Sequence, residues 1–485
     1  VALQATAQRI PASRSCLRGP SSLPVMTKFE TFGSTVPMGE PSWYQGLNTS
    51  FYNASHVAWR QELRDFCEEH VEAIINKWDK AAVEQDHETC YKYLTSIYAE
   101  SAKRGLLPSV VGKPWPAAYT SFKGPENYDY FHELITNDEI TRAGGGFAWS
   151  MAGGLGIGLP PVLNFGIPGD KALQEKVAKE VLAGEKIICL GITEPGAGSD
   201  VSALATVAED KGDHFIVNGD KRWITNGIYA HYFTVAVRTG KPGHQGISML
   251  LMDRSMPGIE TTKMDCMGVW TSGTTYIKFQ DVKVPKTNII GRLNEGFKQV
   301  MFNFNHERWL LVAQASRMAR TCIEEAMGYA RSRRTFGKAL IEHQVIQHKL
   351  AEMGRLCEAS HAWLENITFQ MNTMSKEEQN ARLGGHIALL KVQATKTVEF
   401  CAREALQIFG GSGYTRGTKV ERVYREVRAF AIPGGSEEIM LNLAAGQMKF
   451  VTRATPDPRD KLIKQLKTEL ETFKKGGTAG TAAKL

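Results

Sequence analysis

The chain has 485 residues, 42% of them hydrophobic and 22% charged, which is enough for two or three domains with buried cores and ordinary for a globular protein. Its net charge of +7 sits at the ends: residues 1–29 hold Arg9, Arg14, Arg18 and Lys28 without an acid, and residues 453–485 hold eight Lys or Arg against four acids, so the body is close to neutral. A nucleic-acid surface, which needs clustered cations on folded domains, is therefore not expected, and the most apolar region, 147–168, is too broken by Gly and Pro to span a membrane.

Residues 1–50 read as an extension. Val1 to Lys28, free of acids, suits a mitochondrial presequence or a segment ahead of Met26. Residues 51–185 read as a helical N-terminal domain. Phe66, Val71, Ile74, Ile75 and Trp78 form a stripe within a helical stretch at 56–107, and amphipathic helices are predicted at 125–145 and 169–184, on either side of the glycine-rich segment Gly144 to Gly158.

Residues 186–290 change to alternation and short turns, a middle β domain. Ile187 to Ile192 is a strand, and Thr193 to Asp200 (T-E-P-G-A-G-S-D) is a shaped loop exposing N–H groups and hydroxyls. A hairpin is predicted from Phe215–Val217 and Lys221–Thr225 about an Asn218-Gly219 turn, with Trp223 and Thr225 on one face. An indole wall and a hydroxyl so placed fit a flat aromatic cofactor with a polar edge. Further strands follow near 232–237, 247–252, 259–262 and 275–279.

Residues 291–452 are again helical, with long segments near 296–332, 343–373, 376–409 and 436–451 that suggest a four-helix bundle. The tail, 453–485, places Leu462, Leu466, Leu470 and Phe473 on one helical face and ends in Ala483-Lys484-Leu485, similar to the S-K-L peroxisomal signal. A peroxisomal address is expected, with the mitochondrial matrix as the alternative. Eight scattered cysteines without a C-x-x-C pair or local His clustering point to reduced, buried thiols and to no metal site.

One acid stands within an apolar helical stretch: Glu307, in M-F-N-F-N-H-E-R-W-L-L. Burial disfavours a charged carboxylate and raises its pKa. Glu307 is thus either a base or half of an ion pair with Arg308.

The T-E-P-G-A-G-S-D and W-I-T-N-G pair resembles the flavin-binding signature of the acyl-CoA dehydrogenase family, and later motifs extend the resemblance over roughly residues 50–450. It implies an α+β multidomain fold with a helical N-terminal domain, a middle β domain and a C-terminal four-helix bundle. It implies FAD, held or flanked by Thr193, Ser199, Trp223 and Thr225, with Ser199 also facing the substrate thioester. Most members carry a catalytic glutamate in a Y-E-G-T loop, where this chain has I-P-G-G-S-E-E-I at 432–439, with Gly434 in the glutamate's place. A smaller group, the isovaleryl and long-chain type, moves the base to a helix with an E-R-L pattern, matched here by Glu307-Arg308-Trp309-Leu310.

The resemblance also assigns Arg333, Phe336, Gln344, Gln407 and Gly411 to the FAD of a neighbouring subunit, and with them Ser436 is a cofactor contact, so a homo-oligomer, tetramer or dimer, is implied. Arg308 and Gly434 are implied substrate contacts. The implied reaction is α,β-dehydrogenation of an acyl-CoA: Glu307 takes the α-proton and the β-hydride passes to the flavin, with the Gly434 N–H helping to hold the thioester oxygen. The electron acceptor is electron-transferring flavoprotein, or oxygen if the enzyme is an oxidase. Glu437 and Glu438 are rival bases, better suited to the start of a helix. The glycine-rich run Gly410 to Gly417 follows a helix, not a strand, and is no dinucleotide fingerprint. A flavin-containing relative that binds nucleic acid or a protein partner through its basic ends is the reading of another class.

Overall fold

The computed structural model describes residues 29–454 and Leu466, with side chains through Met448 and that of Leu466. The candidate presequence, the terminal tripeptide and the tail stripe, apart from a half-exposed Leu466, lie outside the described residues.

The helical layer opens with α1 (Ala54–Phe66), where Asn53 accepts the N–H groups of Ser55 and His56 and His56 Nδ1 accepts the Asn53 N–H. This reciprocal cap satisfies donors that a helix start leaves free. A π-helical turn, Cys67–Glu72, leads to α2 (Ile75–Val83), α3 (His87–Lys103), α4 (Leu107–Val111) and α5 (Tyr130–Ala143). The glycine-rich stretch is itself helical: α6 (Gly145–Ser150), a π-helical turn Met151–Leu155, α7 (Gly156–Gly158) and α8 (Pro160–Phe165) precede α9 (Lys171–Leu182).

α5 differs from the amphipathic helix expected there, since 13 of its 14 residues are buried. Its acids are matched by cations from distant segments. Arg64 Nε donates to Glu139 at 2.5 Å and Arg317 Nε to Asp138 at 2.9 Å, while Glu40 receives Arg64 at 3.0 Å and Arg317 at 2.6 Å. Burial works to raise the Glu40 pKa, but Arg317 and Arg64 outweigh it and hold it at about 2. Charges this deep persist only when paired, and the pairing fastens the segment before α1 to α5 and to the first long helix of the C-terminal region.

The middle region is one eight-stranded sheet in the order β6-β7-β3-β2-β4-β5-β8, with β1 pairing β4 in parallel. The strands are β1 (Ile188–Gly191), β2 (Val207–Asp210), β3 (His214–Ile224), β4 (Tyr232–Arg238), β5 (Ile247–Asp253), β6 (Ile259–Lys263), β7 (Thr275–Pro285) and β8 (Ile289–Ile290). The expected hairpin at Asn218-Gly219 does not form. β3 runs straight through it, because β7 pairs with both halves and accommodates the site as an irregularity between Val217 and Gly219. Gly219 has φ +142°, and a Cβ there would lie 2.6 Å from the Thr206 Cα. Asn218 exchanges hydrogen bonds with Asp281 across the ladder.

The C-terminal region comprises α10 (Gly296–Ser332), the short hairpin β9 (Arg334–Thr335) and β10 (Lys338–Ala339), α11 (Gln344–Thr373), α12 (Lys376–Arg382), α13 (Gly384–Phe409), α14 (Gly411–Tyr414), α15 (Lys419–Ala431) and α16 (Glu437–Ala454). α13 packs on α10, α11, α15 and α16. The single helix expected at 376–409 is broken at Leu383, where Gln447 accepts the Gly385 N–H, and α15 is a helix the sequence pattern did not single out. Among the described residues no helix is long and apolar enough to cross a membrane.

Candidate active site

Glu307 lies on α10, whose start packs against β5 and which also packs on α5, α11, α13 and α15. Desolvation pushes its pKa up to about 7. The Asn303 amide one turn earlier donates to Glu307 Oε1 at 2.8 Å and pulls the other way, as does the charge of Arg308. The ion pair that the sequence left open is not made. Arg308 gives Nε to the Gly434 carbonyl at 2.8 Å and one terminal nitrogen to Asn305 at 3.1 Å.

The loop after α15 is built around the same cation and a second basic side chain. Lys391 Nζ donates to the carbonyls of Ala431 at 2.9 Å, Pro433 at 2.7 Å and Gly435 at 2.6 Å. With Arg308 on Gly434, the carbonyls at 431, 433, 434 and 435 all point to buried basic side chains, and burial, with the Arg308 charge, brings the Lys391 pKa down to about 7. Gly434 has φ +68°, and a Cβ there would stand 2.9 Å from Leu311 Cδ1, one turn beyond Glu307. A glutamate at 434 would be strained in its backbone, and its Cβ would press on the tip of the Leu311 side chain, which would have to shift. Glu307, one turn before Leu311 on α10, lies beside this loop. Among the rivals, Glu437 accepts the Thr395 hydroxyl at 3.0 Å, and Glu438 is exposed with its pKa lowered by its own N–H and the Ser436 hydroxyl. Ser436 also accepts the Ile439 N–H at the start of α16, at 3.4 Å.

The flavin-side residues gather at the end of β3. Trp223 has φ +60° and is 49% exposed, and the register shift between Lys221 and Ile224 breaks the simple alternation expected to put it on one face with Thr225. Thr225 instead lies in the turn just after β3, buried, and its hydroxyl accepts the Trp149 indole N–H at 2.9 Å. That leaves the hydroxyl proton to donate elsewhere. Trp149 packs edge-on against Phe430, near the end of α15, at 5.0 Å between ring centroids, so this group adjoins the Gly434 loop. Thr193 is partly buried and its carbonyl accepts the Arg222 N–H at 2.8 Å, while Ser199 is exposed. Buried Lys221 holds the base of the loop by donating to Glu194 at 2.7 Å and to the Ile192 carbonyl at 3.0 Å.

The remaining expected cofactor contacts are elsewhere. Arg333, Phe336, Gln344, Gln407 and Gly411 are all exposed, Phe336 at 96%. They share one end of the bundle, since Tyr329 of α10 stacks on Phe409 of α13 at 4.4 Å. Along α10, position 333 is about 39 Å from position 307 at 1.5 Å per residue. One chain therefore presents two separate parts of the expected constellation.

The residues at the end of β3 fit a flavin: a half-exposed indole, a hydroxyl free to donate, and a loop in which a Cβ on Gly196 or Gly198 would meet nothing within 4 Å. Residues 53–185, 189–282 and 294–449 match, in order, the acyl-CoA dehydrogenase N-terminal, middle and C-terminal domains. The chain belongs to the acyl-CoA dehydrogenase family. It is therefore an oxidoreductase of a FAD-dependent family. Acyl-CoA dehydrogenase AFT10-1 of Alternaria alternata is 38% identical over 426 residues, covering 86% of this chain and 96% of that protein. Acyl-CoA dehydrogenase apdG of Emericella nidulans is 36% identical over 430 residues, covering 86% and 95%. A crystal structure of a probable acyl CoA dehydrogenase from Mycobacterium abscessus superposes with TM-score 0.74 at 32% identity, covering 82% of this chain and all of that one.

Sequence reasoning missed Asn303 and Lys391. Asn303 stands four residues before Glu307, a spacing that puts two side chains on one helix face, and Lys391 is the lone cation in the apolar run Ile387 to Val392. His56, Asp129 and His132 converge within 4.8 Å, a grouping the sequence did not reveal. Their ring nitrogens already serve the starts of α1 and α5: His56 Nε2 meets Asp129 at 3.0 Å, and His132 Nδ1 meets it at 2.9 Å. All seven described cysteines are free, and six of them are buried.

Proposed function

We propose that the chain oxidises an acyl-CoA thioester to its trans-2-enoyl form, with Glu307 as the base. The observation that carries this is a carboxylate on α10, its pKa pushed up to about 7 by burial, that makes no ion pair with its neighbouring arginine and lies beside a loop where Gly434 stands in place of an acid. A base of that pKa is well matched to neutral pH. Bound FAD supplies the acceptor for the β-hydride.

The chain's own residues do the rest. Glu307 takes the α-proton onto Oε1 or Oε2. The basic side chains of Lys391 and Arg308 fix the carbonyls of residues 431–435 inward, which favours an outward Gly434 N–H as donor to the thioester oxygen. Thr225, held by Trp149, orients the cofactor edge. Arg333, Phe336, Gln344, Gln407 and Gly411 reach the FAD of a second subunit, so the working unit is a homo-oligomer. Electrons leave to an electron-transferring flavoprotein.

The test is an anaerobic titration of the purified protein's flavin absorbance with acyl-CoAs of graded length, followed by admission of air. Bleaching by one class of thioester supports the reading. A bound flavin that no thioester bleaches overturns it, and rapid return of colour in air replaces the flavoprotein acceptor with oxygen.

A further inference from the structure

A cavity of about 350 Å³ opens next to the base, between the 111–119 loop, α8, the early turns of α10 and the start of α12. Asn303 joins it to Glu307, because the same side chain lines the cavity and donates to Glu307 Oε1 at 2.8 Å. The volume falls at the lower end of the range for small-ligand sites, and Trp115 and Tyr119 give it aromatic walls.

Two lysines also line it. Lys113 Nζ is 5.2 Å and Lys376 Nζ 5.0 Å from the centre of the Tyr130 ring, so both ammonium groups converge on one side chain. Among the described residues neither forms an ion pair. The acid whose charge reaches Lys376 is Glu133, and it is already engaged: His306 Nε2 lies 2.5 Å from one oxygen, and the Lys113 backbone N–H donates to the other at 3.3 Å. Burial works against the charge on Lys376. Both lysines are partly buried and rest on the Tyr130 ring rather than on a carboxylate, so an incoming anion gives them the counter-charge they lack.

We propose that this cavity receives the far end of the substrate's acyl group and that this end carries a carboxylate. The inference rests on the dehydrogenation reading above and names its substrate class: acyl-CoA thioesters with an apolar body ending in an acid. Lysine ammonium groups, as compact point charges on flexible stems, hold a single carboxylate without demanding bidentate geometry, so acids of more than one chain length are accepted. The aromatic walls cover the methylene or aryl body, and Asn303 marks where the acyl group turns toward Glu307.

The experiment compares two thioesters of equal chain length, one ending in a carboxylate and one in a methyl group, by anaerobic flavin bleaching with the FAD-loaded enzyme. The acid-ended thioester is expected to reduce the flavin with at least a tenfold higher ratio of reduction rate constant to dissociation constant. In Lys376→Met this preference falls tenfold or more, and Lys376→Arg restores most of it, which a merely structural lysine would not do. A preference of one or less in the unmodified enzyme overturns the proposal while leaving the dehydrogenation reading intact. Bleaching by neither thioester, nor by any other acyl-CoA, removes the dehydrogenation reading and this proposal together.

Discussion

Arg308 turns its guanidinium to the Gly434 carbonyl, at 2.8 Å, and leaves the carboxylate of Glu307, its neighbour in sequence, to the amide of Asn303. The cation so placed braces the loop beside the base without neutralising the base. A direct ion pair would have pulled the Glu307 pKa well down; instead it stands at about 7.

Glu307→Gln keeps the shape of the site and removes the proposed base. Bound FAD is expected to remain, and the rate of flavin reduction by acyl-CoA to fall about 10²-fold or more. Rapid-mixing absorbance under anaerobic conditions measures both. A near-normal rate would falsify the assignment and return Glu437 or Glu438 to candidacy.

The reductive step should rise with pH through about 7, as Glu307 loses its proton, and then level off. Stability moves the opposite way. The folded pKa lies above the ordinary value of 4.5, so the native state binds more protons than the unfolded state between about 4.5 and 7. The Glu307 contribution is therefore full below pH 4.5 and lost as pH rises through 7. Urea melts of the wild type and of Glu307→Gln across this window should diverge with that sign, the variant lacking the loss.

Asn303→Leu deletes the hydrogen bond that holds the Glu307 pKa down. The midpoint of the pH-rate curve should move up by roughly half to one unit, as expected for a bond of about 1 kcal/mol. An unmoved midpoint would show that Asn303 does not tune the base.

Lys391→Met leaves the carbonyls of Ala431, Pro433 and Gly435 without their shared donor. A loss of about 2–4 kcal/mol is expected in urea unfolding, together with slower flavin reduction because the Gly434 N–H is no longer fixed. Full stability with full activity would mean that the loop holds its shape unaided.

Much of this architecture was legible because it rests on local patterns. The long helices announce themselves by apolar spacing, and Gly434 opposite Glu307 is visible as a loss and a gain in one chain. What stayed hidden depends on partners far away in sequence. Nothing near Glu139 or Asp138 says that Arg64 and Arg317 will meet them and bury α5 on every face. The Asn218-Gly219 pair has the chemistry of a turn, but β7 offers a ladder to both sides of it and tertiary pairing prevails. Likewise the φ of +60° at Trp223 overrides the two-residue alternation of a strand.

The length of α10 has a genetic consequence. With Glu307 three turns into α10 and Arg333 just past its end, about 39 Å apart, a chain spoiled at one of the two still carries a sound residue at the other. If Arg333 reaches the FAD of a second subunit as proposed, then in a mixed dimer of Glu307→Gln with Arg333→Ala one centre would combine both defects and the other neither. Two separately inactive preparations, unfolded and refolded together, should therefore regain part of the activity, and a heterozygote with one such lesion on each allele should keep function that either homozygote lacks.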